Sequence, residues 1–221
     1  MTTRDNSHKV TIGVGYSYYQ DVESIKRGLP TFVDNVDFIF AIDGRYSFRD
    51  GVDYSDDGST EFIRQFPNTI IRKYVGMEHD KRSQYVELAE EFELDYLIII
   101  DSDEFIVDSD WETFRENLYQ LRNSSNHIHG VKFYYNQKDF TPYPRIWKVG
   151  HVKYHKAHSI FSIDGSLVRS PPNLKTVEGI SMSMDDNLRS DEYLQKTSEY
   201  QKKMLDYEIP LRHALRDGKP I

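Results

Sequence analysis

The stretch Asp95-Tyr-Leu-Ile-Ile-Ile-Asp-Ser-Asp-Glu-Phe105 decides how we interpret this chain. Its centre, Tyr96 to Ile100, is apolar without alternation, which is typical of a strand covered on both faces in an α/β sheet. The run ends abruptly in Asp101, Asp103 and Glu104. Open α/β folds bind ligands at the carboxyl ends of their parallel strands. Asp101 and Asp103 together can hold a hard divalent cation, which can in turn hold a diphosphate.

The bare pattern of Asp, any residue, Asp carries little information, because it occurs again at Asp108 and Asp110. That second pair precedes a helical pattern, so we interpret it as helix capping and solvated charge. Only the buried strand that delivers Asp101 and Asp103 favours a metal site there. The alternative for the first pair is a turn with helix-capping acids.

The composition of the 221 residues favours one domain with a small C-terminal appendage. A formal charge of −8 argues against a nucleic-acid partner, and it means that a phosphate-bearing ligand needs local cations. The absence of Cys excludes disulfides, thiolate metal sites and Cys nucleophiles. The polar start, Met1 to Lys9, is unlike a signal peptide, and the longest apolar runs are too short for a transmembrane segment. We therefore expect a soluble, cytoplasmic protein.

The first half of the chain alternates strands and helices, the pattern of a parallel sheet with covering helices. A long loop over Arg45–Gly58 interrupts it. The predicted strands are Val10–Tyr16, Val36–Ile42, Thr69–Val75 and Tyr96–Ile100. The predicted helices begin at an Asp21 N-cap, at a Ser59 or Thr60 cap, and near Asp80, and they end near Leu29, Phe66 and Phe92.

The second half changes character. After an amphipathic helix over Trp111–Leu121, strand-like segments follow in succession, which predicts an antiparallel extension. These segments are Val131–Tyr135, Arg145–Val149 and Val152–Phe161. A final helix is predicted over Asp186–Tyr207. We expect residues 1–165 to form the α/β core and residues 166–221 a C-terminal helical extension of the same domain.

Two further places carry candidate binding groups. Asp43 and Gly44 end the second strand, where a carboxylate can accept hydrogen bonds from ribose hydroxyls or a base N–H, and glycine admits a close ligand. The alternative is a turn Asp that bonds its own backbone. Lys81 and Arg82 open the helix before the acidic strand and can face a diphosphate, or else form a solvated helix face.

Other chemistries have little support. His151 and His155 would share one face of a strand and His158 the other, which is no zinc signature, so we expect at most one of them to touch an ion. There is no Gly-x-Ser-x-Gly elbow and no P-loop. The Gly13-Val-Gly15 turn lacks the third glycine of a dinucleotide fingerprint.

Taken in order, the motifs of residues 9–165 resemble those of a GT-A fold glycosyltransferase, close to the large family 2 type. The residues that carry the resemblance are Val10–Tyr16, Val36–Gly44, Asp57-Gly-Ser-Thr60, Lys81-Arg82, the Asp-x-Asp strand Asp95–Glu104, and Pro144-Arg-Ile-Trp147 followed by Tyr154 and His158. The resemblance implies a Rossmann-like, mostly parallel sheet with covering helices, a small antiparallel extension and a C-terminal helix.

The resemblance also implies a hexosyltransferase-like activity that moves a sugar from a nucleotide-diphosphate donor, a UDP-sugar first of all, to a hydroxyl of a glycan, lipid or protein. The implied metal ligands for Mn²⁺ or Mg²⁺ are Asp101, Asp103 and His158. The implied donor-binding residues are Tyr16, Asp43, Gly44, Lys81, Arg82, Asp101 and Ser102, with Asp43 on the nucleoside and Lys81 and Arg82 near the phosphates.

The sequence departs from the family pattern in two ways. The Asp-Gly-Ser-Thr motif is split between Asp43-Gly44 and Gly58-Ser-Thr60, and the Glu-Asp dipeptide that often supplies the base is missing. Asp139 is our candidate base, with His155 and Asp164 behind it. The competing hypotheses are a nucleotidyltransferase, for which a basic glycine-rich loop after the first strand is missing, and a non-catalytic nucleotide- or sugar-binding module.

Overall fold

The computed structural model describes residues 10–47, 49–134, 140–155, 161–168 and 174–184, together with isolated positions between 202 and 217. Asp139 and His158 lie outside these residues, and so does the predicted helix 186–207 apart from Lys202 and Asp206. Among the described residues, no helix combines the length and the apolar character that a membrane crossing requires.

The described residues up to position 184 form four α-helices and eleven strands. The helices are α1 Val22–Gly28, α2 Ser59–Ile63, α3 Glu78–Glu91 and α4 Trp111–Leu121, and two 3₁₀ turns, Leu29–Thr31 and Val33–Asn35, follow α1. The strands are β1 Ile12–Tyr18, β2 Phe38–Asp43, β3 Thr69–Lys73, β4 Tyr96–Asp101, β5 Glu104–Ser109, β6 Ile128–Tyr134, β7 Phe140–Lys148, β8 Val152–Tyr154, β9 Phe161–Ile163, β10 Ser166–Val168 and β11 Thr176–Met184.

An eight-stranded sheet in the order β3-β2-β1-β4-β7-β6-β11-β5 forms the centre of the fold. The first four strands of that order are parallel, and β7 then pairs antiparallel with β4 and β6. Strands β8, β9 and β10 form a separate antiparallel sheet. The predicted α/β fold class is confirmed, and this is the architecture that the GT-A resemblance implies. Because β1 to β4 are parallel, their carboxyl ends share one edge of the sheet.

Strand β4 is covered on both faces, as its unbroken apolar run predicts. Ile98 and Ile100 pack into the cluster that contains α1 and α4, while Leu97 and Ile99 pack into the cluster around α3. All four side chains are at most 1 % exposed. The strand therefore delivers Asp101 from the interior of the sheet to its carboxyl edge.

Strands β5 and β11 were not predicted. They pair with each other antiparallel, and β11 also pairs parallel with β6. Strand β11 lies within residues 166–221, for which the sequence predicts a helical extension. Both strands contain polar residues, among them Asp108, Ser181 and Ser183, so neither shows a long apolar run. The division of the chain at residue 165 stays a prediction.

One of the two predicted helix caps is wrong. Gly58, not Ser59 or Thr60, occupies the N-cap of α2. Asp21 occupies the N-cap of α1 as predicted, but its side chain makes no capping hydrogen bond. Asp57 serves both helices instead. Its Oδ2 accepts from the Val22 amide at 2.9 Å and its Oδ1 from the Ser59 amide at 3.1 Å.

The expected cap at Asp110 is confirmed, since its side chain accepts from the Thr113 amide at the start of α4 at 3.0 Å. The Asp110 amide in turn donates to the Gly179 carbonyl of β11 at 2.6 Å. This contact fixes α4 against the far side of the sheet.

Replacement of Gly179 by Ala tests this packing. Gly179 has φ +111°, and an added Cβ would lie 2.5 Å from the Phe114 backbone nitrogen. Backbone atoms at the start of α4 cannot move away to relieve this clash. We expect a loss of about 3 kcal/mol in unfolding free energy, from positive-φ strain plus overpacking. Gly150→Ala is the matched control, because Gly150 has φ +83° with nothing within 4 Å of the added Cβ. Equal losses in urea denaturation would contradict the packing argument.

Candidate functional site

Asp101 lies between two arginines at the carboxyl end of β4. Its Oδ1 is 2.7 Å from Arg82 Nη2 on α3, and its Oδ2 accepts from Arg145 Nη2 on β7 at 3.0 Å. Each guanidinium side chain is 10 % exposed and the Asp101 side chain 25 % exposed. Both carboxylate oxygens are therefore engaged, and each holds a different element at this edge of the sheet.

The ion pairs continue on both sides of Asp101. Arg82 Nε donates to Glu78 Oε1 at 2.8 Å within α3, and Arg145 contacts Glu104 at the start of β5. Glu104 also accepts from the Asp101 amide at 2.9 Å, which closes the turn between β4 and β5. The result is a row of alternating charges, buried except for the partly exposed Asp101, which we call the strand-end cluster: Glu78, Arg82, Asp101, Arg145 and Glu104.

The electrostatics of the strand-end cluster separate its two central carboxyls. Burial raises the pKa of Asp101, but the Arg82 and Arg145 guanidiniums more than offset it and hold that pKa well below the usual range. Burial raises the pKa of Glu104 to about 7, against the opposing effect of Arg145. Asp101 is therefore the carboxylate that carries a permanent charge between the arginines.

Lys81 is buried, with 1 % of its surface exposed, and does not form the solvated helix face of the alternative hypothesis. Its Nζ donates to the Tyr18 carbonyl at 2.7 Å and the Gly44 carbonyl at 2.6 Å, beside the ring of Tyr46. The lysine thus ties the ends of β1 and β2 together. Burial lowers the pKa of Lys81 to about 7, and a neutral amine still has two N–H donors for the two carbonyls.

Asp43 is fully buried beneath the loop 45–58. Its Oδ1 accepts from Ser55 Oγ at 2.7 Å and from the Ser55 amide at 3.1 Å, and its Oδ2 from Thr60 Oγ1 at 3.3 Å. Its partners lie 12 and 17 residues along the chain, so it is not the short-range turn Asp of the alternative hypothesis. Gly44, at φ +138°, makes room for the Tyr74 carbonyl, which an added Cβ would meet at 2.1 Å.

Ser102 and Asp103 form the turn between β4 and β5, and Tyr16 lies beneath it. Tyr16 is 0 % exposed, and its hydroxyl donates to the Ser102 carbonyl at 3.3 Å. Ser102 Oγ donates to Asp21 Oδ2 at 2.6 Å. Asp103 is partly exposed in the same turn. The structure therefore places Asp101 against Arg82, with Ser102 and Asp103 in the turn that follows, while Tyr16 supports the turn from the core.

Of the two reserve candidates for the base, Asp164 lies away from the strand-end cluster. Asp164 lies in the turn between β9 and β10 and contacts His127, which immediately precedes β6. The His127 carbonyl accepts from the Lys148 amide, and Lys148 pairs with Tyr96, the first residue of β4. Asp101 lies five residue steps along β4 from Tyr96, roughly 17 Å along the strand. His155 follows β8 and is partly exposed. Asp164 is therefore not part of the strand-end cluster.

Sequence reasoning did not assign Arg145 to the site, although it belongs to the Arg-Ile-Trp motif. The available signal was a guanidinium in the middle of an apolar strand, because such a charge needs a buried partner. Glu78 was missed because it precedes the predicted start of the helix near Asp80.

Comparison by sequence finds nothing: no protein-family model and no curated protein matches this chain. Comparison by fold finds solved structures. S. aureus TarS 1-349 is 13 % identical with a TM-score of 0.47, over 63 % of this chain and 47 % of TarS 1-349. A mannosyltransferase from Pyrobaculum calidifontis, in complex with GDP-Man and Mn²⁺, is 14 % identical with a TM-score of 0.39, over 61 % of this chain and 38 % of its own.

A glucosyl-3-phosphoglycerate synthase from Mycobacterium tuberculosis, in complex with Mn²⁺ and UDP, is 15 % identical with a TM-score of 0.37, over 59 % of this chain and 46 % of its own. Glycosyltransferases are thus among the structures that this chain resembles in fold. The matched part spans less than half the length of each of these three proteins.

Asp101→Asn tests the strand-end cluster. The change removes the negative charge between two buried guanidiniums, and we expect a loss of about 3 kcal/mol in unfolding free energy. Asp53→Asn is the control, because Asp53 forms an exposed ion pair with Arg45 at 3.0 Å and its loss costs under about 1 kcal/mol. If chemical denaturation gives the two variants the same unfolding free energy, Asp101 does not stabilise this edge of the sheet.

Lys81→Met tests the buried lysine by its pH dependence. The folded pKa of Lys81 is about 7, below its ordinary value of 10.5, so between these pH values the unfolded chain binds a proton that the folded chain does not. The unfolding free energy of the wild type relative to Lys81→Met should therefore rise from pH 7 to pH 9.5, by up to about 1.4 kcal/mol per unit. Lys26→Met, at an exposed ion pair with Glu23, should show no such trend. A flat difference for Lys81→Met would refute the lowered pKa.

Proposed function

We propose that this protein is a glycosyltransferase that moves a sugar from a nucleotide-diphosphate donor, a UDP-sugar first of all, to an acceptor hydroxyl with the help of Mn²⁺ or Mg²⁺. The observation that carries the proposal is the strand-end cluster with Asp103 beside it, at the carboxyl edge of a parallel sheet. This edge is where open α/β sheets bind nucleotides.

The arginines support a diphosphate ligand. Arg82 and Arg145 bring two guanidiniums to one carboxylate, and buried Arg145 Nε has no hydrogen-bond partner among the described residues. Guanidinium groups match phosphate oxygens in geometry and charge. In a chain of net charge −8, such local cations are what a diphosphate requires.

Asp103 in the turn is a better ligand for the metal ion than Asp101 at the end of β4. Both oxygens of Asp101 are engaged by arginines, so an ion there would have to displace one of them. Asp103 is partly exposed in the adjacent turn and offers the hard oxygen that Mn²⁺ and Mg²⁺ prefer. We therefore assign Asp103, with His158 as a further ligand, to the ion. When bound, the ion acts as a Lewis acid that offsets charge on the leaving diphosphate.

The loop 45–58 forms the nucleoside side of the proposed site. For Asp43 to accept from a ribose or a base, the nucleoside must replace the Ser55 and Thr60 hydroxyls, which hold it now. Tyr16 and Ser102 support the turn from beneath, and Lys81 holds the floor of the loop. Asp139 remains our candidate for the base that takes the acceptor proton.

Asp103→Asn tests the metal assignment. The wild type should bind UDP more tightly with Mn²⁺ than without and should slowly hydrolyse the matching donor in a panel of UDP- and GDP-sugars. We expect the variant to lose about tenfold or more of its Mn²⁺-dependent affinity for UDP, about 1.4 kcal/mol, in titration calorimetry. Asp108→Asn, in the second Asp-x-Asp pair at the exposed end of β5, should behave as the wild type.

Unchanged Mn²⁺-dependent binding in Asp103→Asn would remove that residue from the metal site. Binding of UDP-sugars without hydrolysis or transfer would favour the non-catalytic binding module instead.

A further inference from the structure

Two histidines stack face to face where the small sheet meets the main one. The ring centroids of His127 and His151 are 4.1 Å apart with an interplanar angle of 4°. The Asp164 carboxylate spans both rings, with one oxygen 2.9 Å from His151 Nδ1 and the other 2.9 Å from His127 Nε2. The three potential ligand atoms lie within 4.8 Å of one another.

The cluster is built by three separate segments. His127 immediately precedes β6 of the main sheet, His151 immediately precedes β8, and Asp164 occupies the β9–β10 turn at φ +46°. The Asp164 amide also donates to the His151 carbonyl at 3.0 Å, which fixes the turn against the strand. The group therefore bridges the two sheets, at the opposite edge of the main sheet from the strand-end cluster.

We propose that His127, His151 and Asp164 form a binding site for a divalent transition metal of the zinc class, which would staple the small sheet to the main sheet. Two imidazoles and one carboxylate favour Zn²⁺, Co²⁺ or Ni²⁺ over the oxygen-seeking Mg²⁺. Three protein ligands leave the fourth position of a tetrahedral ion to water.

Binding requires a modest rearrangement. The lone pairs of two parallel rings do not converge, so the rings must tilt from 4° while Asp164 exchanges two hydrogen bonds for one metal bond. His127 Nδ1 is buried without a partner among the described residues. Because metal-bound histidines usually donate their second N–H, that lack costs roughly 10- to 100-fold in affinity. We therefore expect micromolar binding of Zn²⁺.

The test uses the untagged full chain after chelator treatment. Zinc titration calorimetry should give one ion per chain with a dissociation constant on the order of micromolar, and Zn²⁺ at tenfold that concentration should raise the melting temperature by about 3 to 5 °C. Co²⁺ should give the visible absorption of a tetrahedral ion. Absence of both binding and absorption would overturn the proposal.

The variants separate this site from others. His151→Gln changes a side chain that is 36 % exposed, and Asp164→Asn one that is 56 % exposed, so both should fold and lose about tenfold or more of the Zn²⁺ affinity. His79→Gln is the matched control, because His79 lies 3.3 Å from Asp80 but belongs to no group of three possible metal ligands among the residues that the structure describes. Zn²⁺ affinity that is unchanged in His151→Gln would overturn the proposal.

Asp103→Asn should bind Zn²⁺ as the wild type does, which makes the outcome independent of the proposed sugar transfer. Loss of Zn²⁺ binding in Asp103→Asn but not in Asp164→Asn would place the ion at the strand ends and overturn this site.

Discussion

The ion pairs of Asp101 with Arg82 and Arg145 are the interaction on which this edge of the molecule depends. A charge carried out of an apolar strand is costly unless oppositely charged groups meet it. Here the partners come from α3 and from β7, so one carboxylate joins a covering helix, the last parallel strand and the first antiparallel one. The change from parallel to antiparallel pairing thus occurs at the candidate site, and the arginines that stabilise the fold are the ones that we propose bind the diphosphate.

At the neighbouring strand ends, too, one charged side chain holds several segments together. Lys81 satisfies the last carbonyl of β1 and the first after β2, and Asp43 holds the loop 45–58 through Ser55 and Thr60. All of these contacts are polar and lie at the carboxyl edge; those of Lys81 and Thr60 are buried and those of Ser55 partly buried. The interior of β4, by contrast, is apolar on both faces. Affinity for a nucleotide would therefore come from exchanging internal hydrogen bonds for ligand ones, with the loop 45–58 as the part that must move.

The sequence was sufficient for what local pattern determines. The apolar run of β4 and the alternation of strands and helices predicted the parallel half correctly, and the amphipathic pattern of Trp111–Leu121 predicted α4. Strands β5 and β11 were not predicted, because both contain polar residues and they pair with each other across more than seventy positions of the chain. The same holds for the site: Asp101 was recognisable from its strand, but its partner Arg145 lies 44 residues further on. The cluster of His127, His151 and Asp164 could not be predicted, because three distant segments build it and no short spacing marks it.

The most direct measurement of the central claim is a crystal structure of the full chain with UDP and Mn²⁺. The account predicts the diphosphate at the carboxyl edge of β4, within hydrogen-bonding distance of Arg82 or Arg145, with the ion on Asp103 and the uracil under a displaced loop 45–58. A nucleotide bound elsewhere, or a fully occupied nucleotide that leaves Asp103 and both arginines untouched, would contradict it.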